Sequence, residues 1–266
     1  MISIYKKGLI FALIFGSSLA SAVEFDDFSS KVSQLELNGN AAKFNESLRV
    51  APATWWQAGS AFTLKELKVA KFSTFFKFQI SGPFSTCAGC GAGDGFTFAI
   101  QALSPNAIGA NGPAEGYGGE LINGNFIGGI NQSIAIEFDT YQNIPYNDPE
   151  LPHIAILVNG DTRHFDSSLP VQEIMPSFNN GKTWYSWIDY DGEVLQVRLS
   201  QNDKRPKKAL LEKEIDIAEL LGVNPIIDGY KAFVGFTAAT KGAYENHDIL
   251  FWQYRESYMP IGESKK

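Results

Sequence analysis

Short runs of strand-forming residues, separated by turn residues, recur from one end of the chain to the other. Phe, Val, Ile and Tyr dominate these runs, and Gly, Asn, Asp and Pro lie between them, which is typical of strands joined by turns. The clearest runs are residues 74–80, 95–100, 154–158, 184–190 and 194–199. The last two flank Asp191-Gly192, and this arrangement predicts a hairpin.

One helix-like patch, residues 215–221, ends at Gly222 and is too short to cross over between parallel strands. The pattern therefore predicts an all-β fold, an antiparallel sandwich or barrel. Abundant Gly (25) and Phe (20) and a charged fraction of only 19% favour one large β domain over two small ones. We expect that domain at residues 23–258, followed by a polar tail at residues 259–266.

The first 22 residues have the pattern of a secretory signal peptide. Lys6 and Lys7 precede an apolar run, residues 8–15, and Ala20-Ser21-Ala22 offers a cleavage site before Val23. A transmembrane anchor needs about 20 apolar residues, and this run is shorter. No later segment is long and apolar enough to span a bilayer. We therefore expect an exported protein, whether secreted, periplasmic or at the cell surface, without a membrane span.

Loss of residues 1–22 would remove two lysines and no acid, changing the formal net charge from -7 to -9. An acidic chain without a basic cluster is unsuited to nucleic acid.

The two cysteines, Cys87 and Cys90, lie in a glycine-rich stretch. A redox pair would be expected at the start of a helix in a βαβ unit. A structural disulfide that pins a tight loop is the favoured interpretation in an exported protein.

The segment with the clearest chemical signal begins with two acids on one predicted strand, Glu137 and Asp139. Successive side chains of a strand point to opposite faces, so Ile134, Ile136 and Phe138 share one face, and the acids and Tyr141 share the other. Two carboxylates about 7 Å apart on one side of a sheet repel each other when covered. A solvated strand face is the alternative, but the residues that follow favour a bound cation.

Further oxygen ligands follow in the loop: the Asn143 amide, the Asp148 carboxylate and the backbone carbonyl of Tyr141. Ca²⁺ takes 6–8 oxygen ligands in flexible geometry, so this set fits calcium. His153 opens the next strand and could join Glu137, Asp139 and Asp148 around a second ion. One nitrogen with three carboxylates suits manganese or another transition metal better than calcium.

At this point the sequence resembles the legume-type (L-type) lectins. The family pattern of Glu-x-Asp-x-aromatic-x-Asn, then Asp-Pro, then His before an apolar strand matches residues 137–143, 148–149 and 153–154. Weaker matches at residues 37–41, 94–98 and 234–252 keep the family's order and spacing. The resemblance implies a concanavalin A-like antiparallel β-sandwich of jelly-roll type, and a lectin rather than an enzyme.

The resemblance also implies roles for individual residues. Glu137, Asp139, Asp148 and His153 would hold the transition metal, while Asp139, Asn143, Asp148 and the Tyr141 carbonyl would hold calcium. The sugar would contact Asp94, the backbone amide of Gly119, Asn143 and the ring of Tyr141. A loop near Gly242, Ala243 and Tyr244 would select the monosaccharide. The residue before the sugar-binding Asp is usually Ala across a cis bond, and here it is Gly93.

Two rival functions remain on the same predicted fold. Laminarinase-like hydrolases carry Glu-x-Asp-x-x-Glu on one strand, but here the last position is Gln142, which cannot protonate a leaving group. No Gly-x-Ser-x-Gly nucleophile elbow is present either. A metal-stabilised adhesive sandwich without sugar binding is the second rival.

Other candidate residues receive structural interpretations. Trp55-Trp56 is interpreted as a packing pair, His247 as a strand residue, and His164 as a residue without metal-ligand spacing. The expected partners are glycans or glycoproteins. Assembly into homo-oligomers would strengthen weak single-site binding.

Overall fold

The computed structural model describes residues 22–82, 92–224, 226–227 and 229–262. The proposed signal peptide up to residue 21 and the Cys87–Cys90 pair lie outside the described residues. The strands are β1 (Ala22–Phe25), β2 (Leu35–Gly39), β3 (Ala42–Phe44), β4 (Ser47–Ala51), β5 (Ala58–Thr63), β6 (Leu67–Lys68), β7 (Phe72–Ser81), β8 (Gly95–Gln101), β9 (Gly119–Ile122), β10 (Asn125–Gly128), β11 (Ser133–Asp139), β12 (His153–Val158), β13 (Val171–Glu173), β14 (Thr183–Tyr190), β15 (Val194–Ser200), β16 (Leu211–Glu214), β17 (Lys231–Ala239) and β18 (Asn246–Arg255).

Helices are few and short. The α-helices are α1 (Phe28–Lys31) and α2 (Ile217–Leu221), and 3-10 turns lie at Val32–Gln34, Gly112–Ala114 and Ile144–Tyr146. In α2 the side chain of Asp216 accepts the backbone N–H of Glu219, and Gly222 ends the helix with φ of +67°. The predicted stop at Gly222 is confirmed. Within the described residues, no helix is long and apolar enough to cross a lipid bilayer.

Two eight-stranded antiparallel sheets form the body of the protein. Sheet I has the order β13-β12-β11-β8-β17-β5-β2, with β6 also pairing with β17. Sheet II has the order β16-β15-β14-β7-β18-β4-β3, with β1 also pairing with β18. A separate hairpin, β9–β10, makes a third, small sheet. The predicted antiparallel sandwich is confirmed, and so is the hairpin around Asp191-Gly192, which joins β14 to β15.

Phenylalanine rings fill the space between the two sheets. Phe76 of sheet II contacts rings of sheet I, with centroids 5.2 Å from Phe236 and 5.8 Å from Phe138. Phe96 and Phe138, on adjacent strands, stack at 4.6 Å. These positions are fully or almost fully buried. The many phenylalanines in the sequence are therefore explained by a thick aromatic core, in which offset and edge-to-face ring contacts stabilise the packing.

The outer face of sheet I is also covered. Tyr117 and Ile130 belong to a long connection between β8 and β11, and they pack with Ala99, Ala135 and Leu157 into a second, smaller apolar cluster. Strand β11 consequently has two buried faces. Its residues Ile134, Ile136 and Phe138 lie in the main core, as the alternation predicted.

The structure corrects one packing prediction. The side chains of Trp55 and Trp56 are 56% and 59% exposed, so they are not a buried pair. Trp55 makes an edge contact with Tyr244, and Lys241 lies over the ring of Trp56. Apolar side chains of this size suit a core, but the turn between β4 and β5 carries them outward. His247 lies in β18 and is buried, in agreement with its interpretation as a strand residue.

Candidate functional site

The candidate site lies at one end of sheet I, where β8 begins, β11 ends and β12 begins. The strand register places Asp139 directly opposite both Gly95 and His153. Glu137 is two residues earlier on the same face of β11 and opposes Thr97 and Ala155. The predicted pairing of the two acids on one face is thus seen. Both side chains are buried beneath the loops rather than solvated.

Two imidazoles face the carboxylate of Glu137. Nε2 of His153 lies 3.5 Å from Oε2 of Glu137, and Nε2 of His164 lies 3.1 Å from the same oxygen. The two Nε2 atoms are 3.2 Å apart. Nε2 of His164 is also 3.7 Å from Oδ1 of Asp148. Four ligand atoms from four residues therefore surround one small volume.

The loop after β11 brings the remaining predicted ligands to the same place. Oδ1 of Asp139 accepts the backbone N–H of Tyr141 at 2.6 Å, and Oδ2 of Asp148 accepts that of Asn143 at 2.6 Å. The Asn143 side-chain amide donates to the Tyr141 carbonyl at 3.2 Å. A 3-10 turn, Ile144–Tyr146, then carries the chain to Asp148. These bonds fold the loop so that its oxygen atoms collect beside Asp139.

Burial perturbs the ionisation of these acids strongly. It raises the pKa of Asp139 and of Glu115 well above the usual carboxyl range, and their acidic neighbours raise both further. It raises the pKa of Asp148 to about 7, with Glu137 contributing. Burial alone would also raise the pKa of Glu137, but His164 and His153 outweigh it and lower that pKa. These acids resist ionisation because their negative charges would be buried close together. A bound cation would offset that repulsion and favour the ionised form.

Three groups of side chains have the spacing of metal ligands, with their ligand atoms within 4.8 Å of one another. These groups are Glu137, His153 and His164; Asp139, Asp148 and His153; and Glu115, Glu137 and Asp139. Among the described residues, Oε2 of Glu137 is buried without a hydrogen bond, and so are both carboxyl oxygens of Glu115. Buried carboxylates without partners are costly unless a cation binds them. The residues present therefore fit metal binding.

Asp94 lies next to this cluster. Its peptide bond to Gly93 is cis, as the resemblance implied. Its carbonyl accepts the N–H of Thr140 at 3.0 Å and the Thr140 hydroxyl at 2.8 Å. The carboxyl group is hydrogen-bonded by the Asn143 side chain, and burial raises its pKa to about 7. Its Oδ2 has no hydrogen-bond partner in the described part of the chain. Among the described residues, a buried acceptor atom therefore remains without a partner at the edge of the cluster.

The loop after β17 borders Asp94 on the other side. A Cβ atom placed on Gly93 would lie 2.7 Å from Cβ of Tyr141 and 3.1 Å from Cβ of Ala243. A side chain at position 93 would therefore displace its neighbours, which explains the glycine. Ala243 is buried, while Gly242 is exposed with open space around its Cα. Tyr141 and Ala243 thus lie beside Gly93, the residue before Asp94.

The backbone amide of Gly119 already has a hydrogen-bond partner. Its backbone N–H donates to the carbonyl of Gly160 at 3.2 Å, and Gly160 lies in the turn after Val158. That turn is at the opposite end of β12 from His153. The predicted third donor to a ligand at Asp94 is therefore engaged elsewhere, because the β9–β10 hairpin packs against this turn.

The chain matches the family model described as "Legume lectin domain" over residues 20–266. The chain belongs to the legume lectin family. A lectin from Leucomphalos mildbraedii is 31% identical over 226 residues, covering 84% of this chain and 81% of that protein. The L-type lectin-domain containing receptor kinase VIII.1 of Arabidopsis thaliana is 28% identical over 90% of this chain. This chain spans only 32% of that kinase's length.

Solved structures of legume lectins share the fold. The lectin from Bauhinia forficata in complex with GalNAc superposes with a TM-score of 0.69 at 22% identity, covering 89% of this chain and 98% of that one. The basic winged bean lectin with Tn-antigen gives 0.67 at 25% identity, covering 89% and 98%. Members of the legume lectin family bind carbohydrate and are not enzymes, so the family agrees with the lectin prediction rather than with the hydrolase alternative. Gln142, which lies where the hydrolases carry their last glutamate, is exposed.

Sequence interpretation missed two residues of this lectin's cluster, His164 and Glu115. The structure corrects the interpretation of His164, which lies with Glu137 and His153 although it is far from the strand motif. Glu115 comes from the connection between β8 and β11, and its Oε1 approaches Gly95. The only sequence signal for His164 was its chemistry, as one of three histidines in the chain. The only signal for Glu115 was an acid in a largely apolar, glycine-rich stretch.

Proposed function

We propose that this protein is an exported, calcium-dependent lectin that binds sugar at Asp94 and Asn143 beside a two-ion site. The observation that carries the proposal is the buried Oδ2 atom of Asp94, which adjoins the acidic cluster and has no hydrogen-bond partner among the described residues. Membership of the legume lectin family supports the same function. The signal-peptide pattern of residues 1–22 supports export.

Calcium would be held by Asp139, Asn143, Asp148 and the Tyr141 carbonyl. These groups already exchange hydrogen bonds within one loop, and hard oxygen ligands of this kind suit Ca²⁺. A transition metal such as Mn²⁺ would be held by Glu137, Asp139, Asp148 and His153. When bound, the ions would neutralise the buried carboxylates and fix the loop that carries Asn143. The protein's own contribution is to orient the Asn143 amide toward Asp94 before any sugar arrives.

The Asp94 carboxylate would accept hydrogen bonds from two sugar hydroxyls, and the Asn143 amide would donate one. Hydrogen bonds to a charged acceptor are roughly twice as strong as neutral ones. The ring of Tyr141 would meet the apolar face of the sugar, and the segment around Gly242 and Ala243 would border it. Gly119 is left out of this proposed site because its N–H is engaged with Gly160. A single site of a few hydrogen bonds implies a Kd on the order of 0.1–1 mM.

Glycans or glycoproteins are the proposed partners. The relatives with bound GalNAc and Tn-antigen support a sugar ligand in general, while the loop that borders Asp94 would decide which sugar binds here. Assembly of several copies would raise the weak single-site affinity through multivalency. We propose such homo-oligomers on that functional ground.

The proposal is tested on a glycan array with the full mature chain in Ca²⁺ and again with a chelator. We expect binding to a restricted set of glycans that the chelator abolishes. In Asp94→Asn, binding should weaken about 10- to 100-fold, because losing a hydrogen bond to a charged group costs about 1.5–3 kcal/mol.

Asp203→Asn is the matched control, since Asp203 is an exposed acid outside the cluster and the charge change is the same. It should bind as the wild type does. Calcium content measured on each variant separates loss of sugar binding from loss of the ion. Binding that survives chelation, or a wild-type protein that holds calcium but binds no glycan, would refute the proposal and favour the adhesive alternative.

A further inference from the structure

His164 joins the cluster of candidate metal ligands from a segment that lies outside the sequence motif of residues 137–153. The chain turns after β12 at Asn159 and Gly160 and runs back toward the cluster. The backbone N–H of His164 donates to the Tyr146 carbonyl at 2.9 Å, and its carbonyl accepts the Asn147 side chain at 2.7 Å. These two bonds fasten the histidine to the loop that carries Asp148. Its position is therefore fixed by the same fold that positions the other ligands.

The distances around His164 are those of ligands to one ion. Its Nε2 lies 3.1 Å from Oε2 of Glu137, 3.2 Å from Nε2 of His153 and 3.7 Å from Oδ1 of Asp148. Oε2 of Glu137 and Nε2 of His153 are 3.5 Å apart. Two ligand atoms that each lie about 2.0–2.1 Å from a tetrahedral Zn²⁺ are roughly 3.3–3.4 Å from each other. The observed separations bracket that value.

The hydrogen bonds of His153 and Glu137 support a role for both side chains as metal ligands. Nδ1 of His153 lies 3.3 Å from the Leu151 carbonyl, a contact that is a hydrogen bond only when Nδ1 carries the proton. The lone pair of a neutral His153 is then on Nε2, directed into the cluster, as in metal-binding histidines. Oε2 of Glu137 is 1% exposed at the side chain and accepts no hydrogen bond from the described residues. Oε2 of Glu137 and the Nε2 atoms of both imidazoles thus face the same small volume.

We propose that His164 is a direct ligand of the transition-metal ion, which is then held by Glu137, Asp148, His153 and His164. Two imidazoles and two carboxylates in this arrangement favour a four-coordinate ion of the zinc type over Mn²⁺, which prefers oxygen-rich octahedral sites. This inference rests on the metal part of the proposed function and goes beyond it in ligand set and in ion.

The experiment uses the mature chain, stripped of metal and reloaded with Ca²⁺, and measures Zn²⁺ binding by titration calorimetry. The wild type should bind one Zn²⁺. His164→Ala should weaken Zn²⁺ binding by at least 10-fold, the lower end of the effect of removing even an indirect partner of a metal ligand. With Co²⁺ as a probe, the intense visible absorption of four-coordinate cobalt should be present in the wild type and lost in the variant.

Arg163→Ala is the matched control from the same segment, because the Arg163 side chain pairs with Asp161 and stacks on Phe126, neither of which is a candidate ligand. It should bind Zn²⁺ as the wild type does. X-ray absorption on the Zn²⁺-loaded wild type gives a second measurement that needs no variant. Two imidazole ligands are expected, and one would overturn the inference.

Equal Zn²⁺ affinity and equal Co²⁺ spectra in His164→Ala and wild type would also overturn the inference, as would a wild type that takes up no Zn²⁺. These results leave the glycan array unaffected, so the two proposals fail separately. If the protein binds glycans and its Zn²⁺ affinity does not depend on His164, only the assignment of His164 as a ligand is refuted. His164-dependent zinc without glycan binding refutes only the lectin function.

Discussion

Buried acids set the electrostatic behaviour of the site at the scale of single residues. Burial raises the pKa of Asp94 and Asp148 to about 7, and it raises the pKa of Asp139 and Glu115 well above the ordinary carboxyl range. Without a cation, the folded protein therefore holds protons that the unfolded chain releases near pH 4. Folding of the metal-free protein is coupled to proton uptake.

This coupling predicts how the stability of the metal-free protein depends on pH. A carboxyl group whose folded pKa is raised stabilises the fold below its unfolded pKa, and this contribution is lost as pH rises toward the folded pKa. The exposed acids with lowered pKa values, such as Asp26 and Asp166, act in the opposite direction, but only below about pH 4. Thermal unfolding of chelated protein should therefore show a midpoint that falls steadily between about pH 5 and pH 7.

Glu115→Gln supplies the matched variant for this prediction. Gln has the shape of a protonated glutamate, so the chelated variant should lose less stability over the same pH range. The predicted coupling fails if the midpoint of the chelated wild type rises between pH 5 and pH 7, or if the variant has the same slope.

The individual residues of the site were partly predictable from the sequence. The alternation of β11 placed Glu137 and Asp139 on one face, because strand periodicity is a local property. His164 and Glu115 were not predictable, since each reaches the cluster through a long connection whose path depends on packing. Gly119 shows the limit of pattern matching: its glycine pair matched a family pattern, but its N–H donates to the Gly160 carbonyl.

At the scale of strands, the aromatic contacts between β7 and sheet I hold the two sheets together. The Phe76 ring lies within ring-contact distance of five others: Phe78, Phe96, Phe98, Phe138 and Phe236. Phe138 precedes the proposed ligand Asp139 by one residue, so the core and the site share strand β11. Loosening this contact should affect both stability and metal binding.

Phe76→Ala is expected to lower the free energy of unfolding by about 3–5 kcal/mol, because it leaves a cavity among packed rings. Urea unfolding in saturating Ca²⁺ measures this directly. Phe165→Ala is the control, since Phe165 is 65% exposed, and its change should stay within about 0.5 kcal/mol. A loss below about 1 kcal/mol for Phe76→Ala would mean that the core closes around the deleted ring and that the ring contacts contribute little.

Element positions were predicted best where the signal was local. The β14–β15 hairpin and the end of α2 followed from Asp191-Gly192 and Gly222, since turn and cap residues act on their immediate neighbours. The order of strands in each sheet was not predictable in this way. Strand β7 pairs with β18, which is more than 160 residues away in sequence, and no local pattern encodes that choice.

At the scale of the whole molecule, metal binding is expected to stabilise the fold. An ion that binds only the folded state at 100 times its Kd adds about 2.7 kcal/mol. For a domain of this size that corresponds to roughly 5–10 °C in Tm. Thermal unfolding at pH 7 should therefore shift down by this amount in chelator and return when Ca²⁺ is restored.

Asp139→Asn should lack most of this Ca²⁺-dependent shift, because it removes a charge from the proposed calcium ligands. The prediction fails if the chelator leaves the wild-type Tm unchanged, or if Ca²⁺ stabilises the variant as much as the wild type.

The global fold class followed from the sequence because repeated strands, turns and a near absence of helical periodicity admit few architectures. The sequence did not predict that the outer face of sheet I is covered. The connection that carries Tyr117 and Ile130 provides this cover. That cover decides which side chains are buried, and so determines that the acids of β11 lie in a site rather than on a wet surface.

The distribution of the site along the chain has a consequence for how such a protein changes over generations. All proposed ion ligands lie between residues 137 and 164, as do Tyr141 and Asn143 of the proposed sugar site, whereas the other groups around Asp94 come from residues 93–94 and 240–244. A mutation in either of those two loops alters the surface offered to a ligand and leaves the ion ligands intact. Ligand specificity can therefore change through these two loops while the ion ligands, which lie in one continuous segment, stay the same.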